Sequence, residues 1–332
     1  MILFNVSRGG GSPLFPAVVA TLKKRNLLNE RGLSTYGWDV LNQFRIKRAI
    51  ILAAGISSRF VPICFDKPKG LLHVRGEVLV ERQIRQLLTR GIKDITLVVG
   101  RFSEQFEYLS SRFDVRLIFN PNYAVKNNFA SVYAAREHID DAIVSSADLY
   151  FSRNLFPTYA FDSFYSCIYQ AGPTDERCVD LDDDDCIKRT YYGGGDSWVT
   201  FGFAFFSRAF AKSYINLAKP LLDDPLYARS FWADIQDKYL KELPMRVLRC
   251  SGNDIHEFDT LEELWAFDPD FEGTRESIFM HSLCSRLQCN ERELSLFRPI
   301  MQGNDLRGVS FRYRGVSCQF EVDTQIITIH ES

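Results

Sequence analysis

Between Ala49 and Gly70, an apolar run leads into a loop of small residues, and three basic side chains follow in the same stretch. The basic residues are Arg59, Lys67 and Lys69. Small residues let successive backbone N–H groups approach an anion closely, and the fork of an arginine fits phosphate oxygens. We therefore predict that a polyphosphate binds at this loop. The predicted contacts within the loop are Leu52, Ala53, Ala54, Gly55, Ile56, Ser57 and Ser58.

The loop carries neither of the two commonest phosphate-binding patterns, G-x-x-x-x-G-K-[ST] and G-x-G-x-x-G. Its own pattern, L-A-A-G-x-x-S-R-F followed by K-P-K, resembles the signature of nucleotidyltransferases that activate sugar phosphates and alcohol phosphates with a nucleoside triphosphate. From Asn120 to Tyr133, the pattern N-x-x-Y-x-x-x-N-N-x-x-S-x-Y is similar to a segment of the bacterial CTP:phosphocholine cytidylyltransferases, which belong to the MobA-like and sugar-phosphate nucleotidyltransferase superfamily. The resemblance covers residues 48 to about 270.

The resemblance implies a reaction and a set of residues that perform it. A phosphate oxygen of phosphocholine would attack the α-phosphorus of CTP, releasing pyrophosphate and giving CDP-choline for cell-surface decoration, with Mg²⁺ as cofactor. The implied catalytic residues are Lys69, Arg59 and Asp148, and the implied magnesium ligands are Asp148 and Asp259. The implied nucleotide contacts outside the loop are Gln83, Asn127, Asn128 and Ser131. Each asparagine has the alternative of only capping the following helix, and Gln83 that of facing solvent.

The acceptor side is less well defined by the sequence. Aromatic faces and a carboxylate bind a quaternary ammonium group well. The aromatic candidates are Tyr150, Tyr191, Tyr192, Trp198, Phe231 and Trp232, and the carboxylate candidates are Asp175, Glu176 and Asp234. Arg177 occupies a position where the resemblance leads us to expect a tryptophan of the choline cage, and its charge would oppose a cation. Phosphoethanolamine, an aminoalkylphosphonate and a sugar 1-phosphate therefore remain open as acceptors.

Strand-like and helix-like patterns alternate between residues 48 and 272. The continuous apolar run Ala49–Ala54 predicts a strand covered on both faces, Asp94–Val99 predicts a second buried strand, and Ile143–Asp148 predicts another strand. The alternation predicts an α/β fold in which a mostly parallel or mixed central sheet has helices on both faces, the Rossmann-like fold of nucleotidyltransferases. Three further separate strands are predicted over the ranges 165–170, 186–190 and 198–206.

Small segments flank this predicted nucleotidyltransferase domain. Residues 1–47 predict two short helices around Arg31 and Gly32, either part of a winged-helix domain or a helical collar on the main domain. Residues 273–332 predict a helix, with an apolar stripe at Ile278, Leu283 and Leu287, and two hairpin-like strands that resemble the start of a choline-kinase lobe. The chain ends before the catalytic residues of such a kinase would occur, so we expect no kinase activity.

Two other functions compete with the cytidylyltransferase. One is a related enzyme, either an NDP-sugar pyrophosphorylase or a cytidylyltransferase for another small phospho- or phosphono-amine. The other is a regulator that binds a nucleotide without turnover. The presence of Arg59, Lys69, Asp148 and Asp259 together favours catalysis, because a sensor has no need of both metal carboxylates.

Composition narrows the function classes and the partners. The formal net charge of −2 argues against a protein that coats nucleic acid or an anionic membrane. No apolar run approaches the ~20 residues of a membrane span, and the N-terminus does not have the pattern of a signal peptide. The eight cysteines form no C-x-x-C pair, which predicts free thiols and a cytoplasmic protein. The predicted partners are CTP and a small phosphorylated amine or alcohol; the oligomeric state does not follow from the sequence.

Overall fold

The computed structural model describes residues 16–303 and 305–330. Residues 1–15, which begin the predicted N-terminal segment, lie outside the described residues. The strands are β1 Leu28–Asn29, β2 Gly32–Leu33, β3 Arg48–Ala53, β4 His73–Val74, β5 Glu77–Val78, β6 Asp94–Val99, β7 Arg116–Phe119, β8 Ala142–Ser146, β9 Leu149–Phe151, β10 Phe164–Leu181, β11 Ile187–Phe206, β12 Arg246–Cys250, β13 Ile255–Glu257, β14 Leu294–Gln302, β15 Asp305–Tyr313, β16 Val316–Glu321 and β17 Ile327–His330. The helices are α1 Pro16–Lys24, α2 Thr35–Asn42, α3 Leu79–Thr89, α4 Glu107–Phe113, α5 Asn128–Ala134, α6 Arg208–Ala218, α7 Trp232–Lys238, α8 Leu261–Phe267, α9 Gly273–Glu276 and α10 Ile278–Leu287.

A seven-stranded mixed sheet forms the centre of the molecule, in the order β12-β10-β11-β8-β3-β6-β7. Strand β3 pairs in parallel with both β6 and β8, while β11 pairs antiparallel with β8 and β10. Side chains of β3 alternate between the two faces of the sheet, as a buried strand requires. Ile50 and Leu52 pack towards α5, α6 and α7, whereas Ala49 and Ile51 pack towards α3 and α4. The predicted α/β fold with helices on both faces is confirmed.

The two flanking segments both contact the central domain. In the N-terminal segment, helices α1 and α2 are joined by the short β1–β2 ladder, so the predicted pair of helices is confirmed. The backbone N–H of Ile46 donates to the carbonyl of Thr158, which attaches the end of this segment to the domain. In the C-terminal segment, β14 to β17 form a four-stranded antiparallel sheet, twice the predicted number of strands. The domain boundaries themselves stay a prediction.

Local differences from the predicted elements have physical causes. Strands β10 and β11 are two continuous strands in place of the three predicted ones, because a long irregular hairpin with several register shifts spans the turn-like residues between them. Helix α5, which follows the predicted asparagine cap, is short and ends at Ala134. In α10, Leu283 is buried but Ile278 is 79% exposed, because Ile278 lies in the first turn, outside the buried stripe. No described helix is long and apolar enough to cross a membrane.

Candidate active site

A cleft of about 720 Å³ opens where β3 and β8 end. Ligands of open α/β sheets bind at the carboxyl ends of the strands, so this is the position expected for an active site. The lining residues come from the ranges 52–60, 68–70, 123–128, 146–148 and 228–229, and also include Ser131, Phe231, Glu257, Asp259, Met301 and Gly303. All seven predicted loop contacts, from Leu52 to Ser58, therefore lie on one surface.

The loop after β3 leaves its backbone open to the cleft. A Cβ placed on Gly55 would meet no protein atom within 4 Å, so the missing side chain keeps only cleft space free. Ser57 has a φ of 51°, in the left-handed region, which turns the chain sharply before the 3₁₀ turn Ser58–Phe60. Sharp turns of this kind present successive N–H groups on one side, an arrangement that suits phosphate oxygens.

Lys69 and Asp148 form an ion pair on the cleft surface. The Lys69 ammonium lies 3.1 Å from a carboxylate oxygen of Asp148, and the lysine is 6% exposed overall. The close approach depends on Gly70, because a Cβ there would come within 2.8 Å of the Cβ of Ala147. Gly70 thus lets the lysine loop pack directly against the residue that precedes Asp148. The ammonium also lies 5.6 Å from the ring centroid of Phe60.

Arg59 and Asp259 form a second, more exposed ion pair in the same cleft. A guanidinium nitrogen of Arg59 lies 2.6 Å from a carboxylate oxygen of Asp259. About two thirds of the Arg59 side chain is exposed, so an exposed pair such as this contributes less than about 1 kcal/mol to folding. Both partners can therefore change ligands at small cost when a triphosphate enters.

A short antiparallel ladder brings two aspartates that are distant in sequence, Asp148 and Asp259, to the same cleft. In β9 and β13, Leu149 pairs with Glu257 and Phe151 with Ile255. Asp148 immediately precedes β9 and Asp259 lies two residues beyond the end of β13, and both aspartates lie on the lining of the same cleft. This pairing explains how residues 111 positions apart in sequence (259 − 148) line one cleft.

Glu257 is a cleft residue that the sequence analysis did not assign. The Glu257 side chain is exposed to the cleft, but protein atoms surround it on most sides. The resulting loss of hydration is the main cause that raises its pKa to about 7. The negative charge of Asp148 raises the pKa further, and Lys69 opposes the shift. Among the residues that the structure describes, Glu257 has no side-chain ion pair. The available signal was its place two residues before Asp259, in a segment that already matched the family.

The donor set suits a hard cation only if a ligand completes it. Within residues 16–303 and 305–330, no three His, Cys, Asp or Glu side chains meet in a group that could hold a metal. Asp148 and Asp259 nevertheless offer carboxylate oxygens, and Mg²⁺ in nucleotide enzymes is typically held by one or two carboxylates together with substrate phosphates. The residues fit magnesium on that condition.

Asn127 and Asn128 line the cleft and also form hydrogen bonds that hold the adjoining helices α5 and α7. The Asn127 carboxamide caps α5 by accepting from the N–H of Asn128 at 2.7 Å, which confirms the predicted N-cap. The Asn128 carboxamide accepts from the N–H of Trp232 at 2.8 Å. Ser131 also lines the cleft and accepts a hydrogen bond from Asn120. These polar groups are thus partly used by the protein, and their contact with a nucleotide stays a prediction.

Gln83 lies beneath the cleft and not on its surface. Its side chain is fully buried, donates to the carbonyls of Ser146 and Leu149, and accepts from Ser145. The glutamine therefore holds the turn that carries Asp148. The solvent-facing alternative for this residue is wrong, and the structure does not bring the side chain to the predicted nucleotide site.

Two of the predicted acceptor residues lie in packed interior positions. Trp232 is 6% exposed and packs against Tyr165 and Phe206 at centroid distances of 4.7 and 5.1 Å. Tyr150 is 7% exposed, and the Arg82 guanidinium lies 4.5 Å from its ring centroid. The structure does not bring either ring to the cleft lining.

The remaining acceptor candidates differ in position. Phe231 is half exposed and lines the cleft, which makes it the one predicted aromatic among the described lining residues. Tyr192 is exposed and donates to Asp234 at 3.1 Å. The Arg249 guanidinium lies 5.1 Å from the ring centroid of Trp198, so that ring already contacts a cation. Glu176 lies close enough to Glu257 to contribute to its raised pKa.

Arg177 does not point an uncompensated charge at the acceptor. The side chain is 5% exposed, and its guanidinium donates to both carboxylate oxygens of Asp237 and to Gln236. The expectation that its charge would oppose a bound cation is therefore wrong, because Asp237 neutralises it. Arg177 fastens α7 to the hairpin instead of forming part of a cage.

Known proteins share this fold and sequence pattern. A family model for the MobA-like NTP transferase domain matches residues 49–163. The choline-phosphate cytidylyltransferase of Streptococcus pneumoniae is 32% identical over 216 residues, which cover 65% of this chain and 94% of that protein. The 2-aminoethylphosphonate cytidylyltransferase of Lancefieldella rimae is 34% identical over 224 residues, covering 66% of this chain and 91% of that protein.

Solved structures agree with the sequence matches. The structure of the CTP:phosphocholine cytidylyltransferase from Streptococcus pneumoniae aligns with a TM-score of 0.64 and 31% identity, over 68% of this chain and 98% of that chain. An inositol-1-phosphate CTP transferase from T. maritima aligns with a TM-score of 0.53 at 16% identity, which shows the shared fold alone. The chain therefore belongs to the family of MobA-like nucleotidyltransferases that includes the bacterial choline-phosphate cytidylyltransferases.

Proposed function

We propose that this protein transfers the cytidylyl group of CTP to phosphocholine, giving CDP-choline and pyrophosphate. The observation that carries the proposal is the convergence of the Lys69–Asp148 and Arg59–Asp259 pairs on one cleft beside an open phosphate-binding loop. All four residues lie within 48–272, the predicted nucleotidyltransferase domain. The two cytidylyltransferases named above match this chain over 94% and 91% of their own length, which supports cytidylyl transfer over other reactions.

The chain's own residues would act by positioning and by neutralising charge. The open backbone of residues 54–58 would bind the β- and γ-phosphates, with Arg59 holding the departing pyrophosphate. Lys69 would contact the α-phosphate and the attacking oxygen, and its ion pair with Asp148 fixes its ammonium group in advance. The attack forms a bond from the acceptor phosphate oxygen to the α-phosphorus as the bond to pyrophosphate breaks, so no covalent enzyme intermediate is needed.

Asp148 and Asp259 are the proposed magnesium ligands. Magnesium, when bound, would neutralise phosphate charge in a way that protein groups alone do not. Each aspartate is paired with a basic side chain in the structure, and each basic side chain is also a proposed phosphate ligand. Binding of the metal–nucleotide complex would thus exchange partners: carboxylates to metal, and Lys69 and Arg59 to phosphate oxygens.

A cationic acceptor head group fits the surroundings of Glu257. The carboxyl group has no ion-pair partner among the described residues, and Phe231 contributes an exposed ring to the same cleft. A carboxylate and an aromatic face are the two groups that recognise an ammonium ion. Phosphocholine and 2-aminoethylphosphonate both combine such a cation with a phosphorus acid, so the acceptor class is a small phosphorylated or phosphono-amine. A sugar 1-phosphate lacks the cation.

A panel of substrates tests the proposal. Pyrophosphate release is measured with CTP, UTP or dTTP in combination with phosphocholine, phosphoethanolamine, 2-aminoethylphosphonate or glucose 1-phosphate, with and without Mg²⁺. We expect the highest kcat/KM for CTP with phosphocholine. A preference for glucose 1-phosphate would indicate a sugar pyrophosphorylase, and tight CTP binding without turnover of any pair would indicate a nucleotide sensor. The eight unpaired cysteines fit a reducing compartment, and we propose that the reaction takes place in the cytoplasm.

A further inference from the structure

The loop between Arg59 and Lys69 is built into the core of the C-terminal segment. Its apolar side chains, at positions 60, 61, 63, 64 and 65, are all buried. They belong to the same packed cluster as Met280 and Leu283 of α10 and Phe297 and Phe311 of the C-terminal sheet. The loop therefore contributes one side of the core on which residues 273–330 pack.

Asp66 connects this loop to α10. Its carboxylate accepts from the hydroxyl of Ser277 at 2.7 Å and from the backbone N–H groups of Ile278 and Phe279 at 2.6 and 3.4 Å. Ser277 is itself the N-cap of α10, and the ring of Phe279 lies 5.1 Å from that of Phe65. A charged acceptor that satisfies several otherwise unpaired N–H groups at a helix start is a strong local contact.

Further polar contacts hold the loop on both sides of Asp66. On the C-terminal side, the Lys67 ammonium lies 3.1 Å from Glu276, which also contacts His73 at 2.9 Å. On the other side, the Arg101 guanidinium donates to the carbonyl of Phe65 at 3.2 Å, and the Gln105 carboxamide donates to the carbonyl of Asp66 itself at 2.8 Å. Because Lys69 lies only three residues after Asp66, these contacts restrict the position of the backbone that carries Lys69.

The C-terminal sheet also reaches the cleft directly. Strand β14 packs against the 3₁₀ turn that contains Arg59, and Met301, near the end of β14, and Gly303, just after it, lie on the cleft lining. Met301 is 41% exposed, so the segment contributes apolar surface to the cleft. The C-terminal segment thus forms part of the cleft wall beside the proposed phosphate site.

We propose that the C-terminal segment, residues 273–330, is part of the catalytic apparatus. Asp66 is the positioning residue through which this segment holds Arg59 and Lys69 at their places on the cleft. This inference rests on the proposed function, because it concerns the same two cations. Catalysis by charge neutralisation depends on distance, and a misplacement of about 1 Å can cost about 100-fold in rate. Rigid support of the residues that contact a substrate is the usual source of such precision.

The test compares Asp66→Asn with Asp141→Asn in the full chain. Asn at position 66 retains the shape but removes the negative charge and one of the two acceptor oxygens that bind Ser277 and the N–H groups of Ile278 and Phe279. Asp141 is the matched control, because its carboxylate accepts from Arg208 at the start of α6, at 2.8 Å, away from the cleft lining. Two quantities are measured: steady-state kinetics, and hydrogen–deuterium exchange of the amides of residues 56–71.

We expect Asp66→Asn to lower kcat about tenfold or more, with a smaller change in the KM for CTP, and to speed exchange in residues 56–71. Asp141→Asn should change neither, even if both variants lose similar thermal stability. The proposal is overturned if the two variants have the same kcat and the same exchange in the loop. If Asp66→Asn does not fold, Ser277→Ala removes one of the three donors and is compared with the same control.

Failure of the proposed function gives a different result. In that case the wild-type protein turns over no substrate pair, but exchange in residues 56–71 can still be compared between the Asp66 and Asp141 variants. Faster loop exchange in Asp66→Asn alone would support the structural half of the inference without any activity. Equal exchange in both variants would refute it on the same grounds.

Discussion

The phosphate loop and the acceptor wall, two regions that line the same cleft, carry charge in different ways. In the phosphate loop, residues 52–70, each cation is already paired: Lys69 with Asp148, Arg59 with Asp259 and Lys67 with Glu276. In the acceptor wall, formed by Phe231 and Glu257, the carboxyl group has no ion pair among the described residues. The phosphate loop is therefore held in place before the nucleotide arrives, whereas the acceptor wall has an unpaired carboxyl group until a cation binds.

Replacing Lys69 should have the largest effect on this arrangement. In Lys69→Ala the buried ammonium that neutralises the transition state is lost, and we expect kcat to fall by about 100-fold or more. The melting temperature should stay near that of the wild type, because Asp148 keeps contact with water in the cleft. Pyrophosphate release and thermal unfolding measure the two effects. Lys188→Ala, at an exposed position of β11, serves as control. Normal turnover in Lys69→Ala would remove this residue from the mechanism.

Replacing either aspartate should change how the rate depends on magnesium, and the effect should be larger for Asp148 than for Asp259. Asp148→Ala should lose most turnover, by about 100-fold, and Asp259→Ala should raise the concentration of Mg²⁺ needed for half-maximal rate. Rates are measured across a magnesium titration at fixed CTP. Asp254→Ala is the control: this aspartate precedes β13 and pairs with Arg153 instead of lining the cleft. If Asp148→Ala retains the wild-type magnesium dependence, the assignment of the metal ligands is wrong.

The phosphate loop was predictable from the sequence because its chemistry is local. Seven consecutive residues and the following basic side chains act through spacing along the chain, and the structure places the loop contacts on one surface. Asp148 and Asp259 required more: both line the cleft because β9 pairs with β13, and only the family pattern indicated that these two residues belong to one site. Short ladders of this kind do not leave a strong periodic signal.

The acceptor wall was not predictable in the same way. Trp232 and Tyr150 have the correct chemistry for binding a cation, but packing places both rings in the interior. Which face an aromatic residue turns to depends on the register of β10 and β11, which shifts several times along the hairpin. The neutralisation of Arg177 by Asp237, sixty positions away, is likewise a tertiary contact.

Replacing Glu257 should alter the acceptor wall selectively. In Glu257→Gln the carboxylate that would face the ammonium group is lost, and we expect the KM for phosphocholine to rise about tenfold, equivalent to ~1.4 kcal/mol. The KM for CTP should change much less, because the phosphate loop retains its own ion pairs. Steady-state kinetics with each substrate varied in turn separates the two constants. Glu176→Gln, at an exposed position nearby, should have a smaller effect. A rise in the CTP constant alone would place Glu257 on the nucleotide side.

Two neighbouring aromatic residues offer the finest test of the acceptor wall. Phe231 is 48% exposed and lines the cleft, while Trp232, the next residue, is buried against Tyr165. Loss of one exposed cation–π contact is worth about 0.5–1 kcal/mol, so Phe231→Ala should raise the KM for phosphocholine about two- to fivefold with little change in stability. Trp232→Ala should instead lower the free energy of unfolding by about 3–5 kcal/mol, as removal of a packed aromatic does. Chemical denaturation and acceptor kinetics on both variants distinguish these outcomes. If Phe231→Ala binds phosphocholine as the wild type does, the cleft recognises the cation through charge alone, and Glu257 is then the residue on which acceptor binding depends.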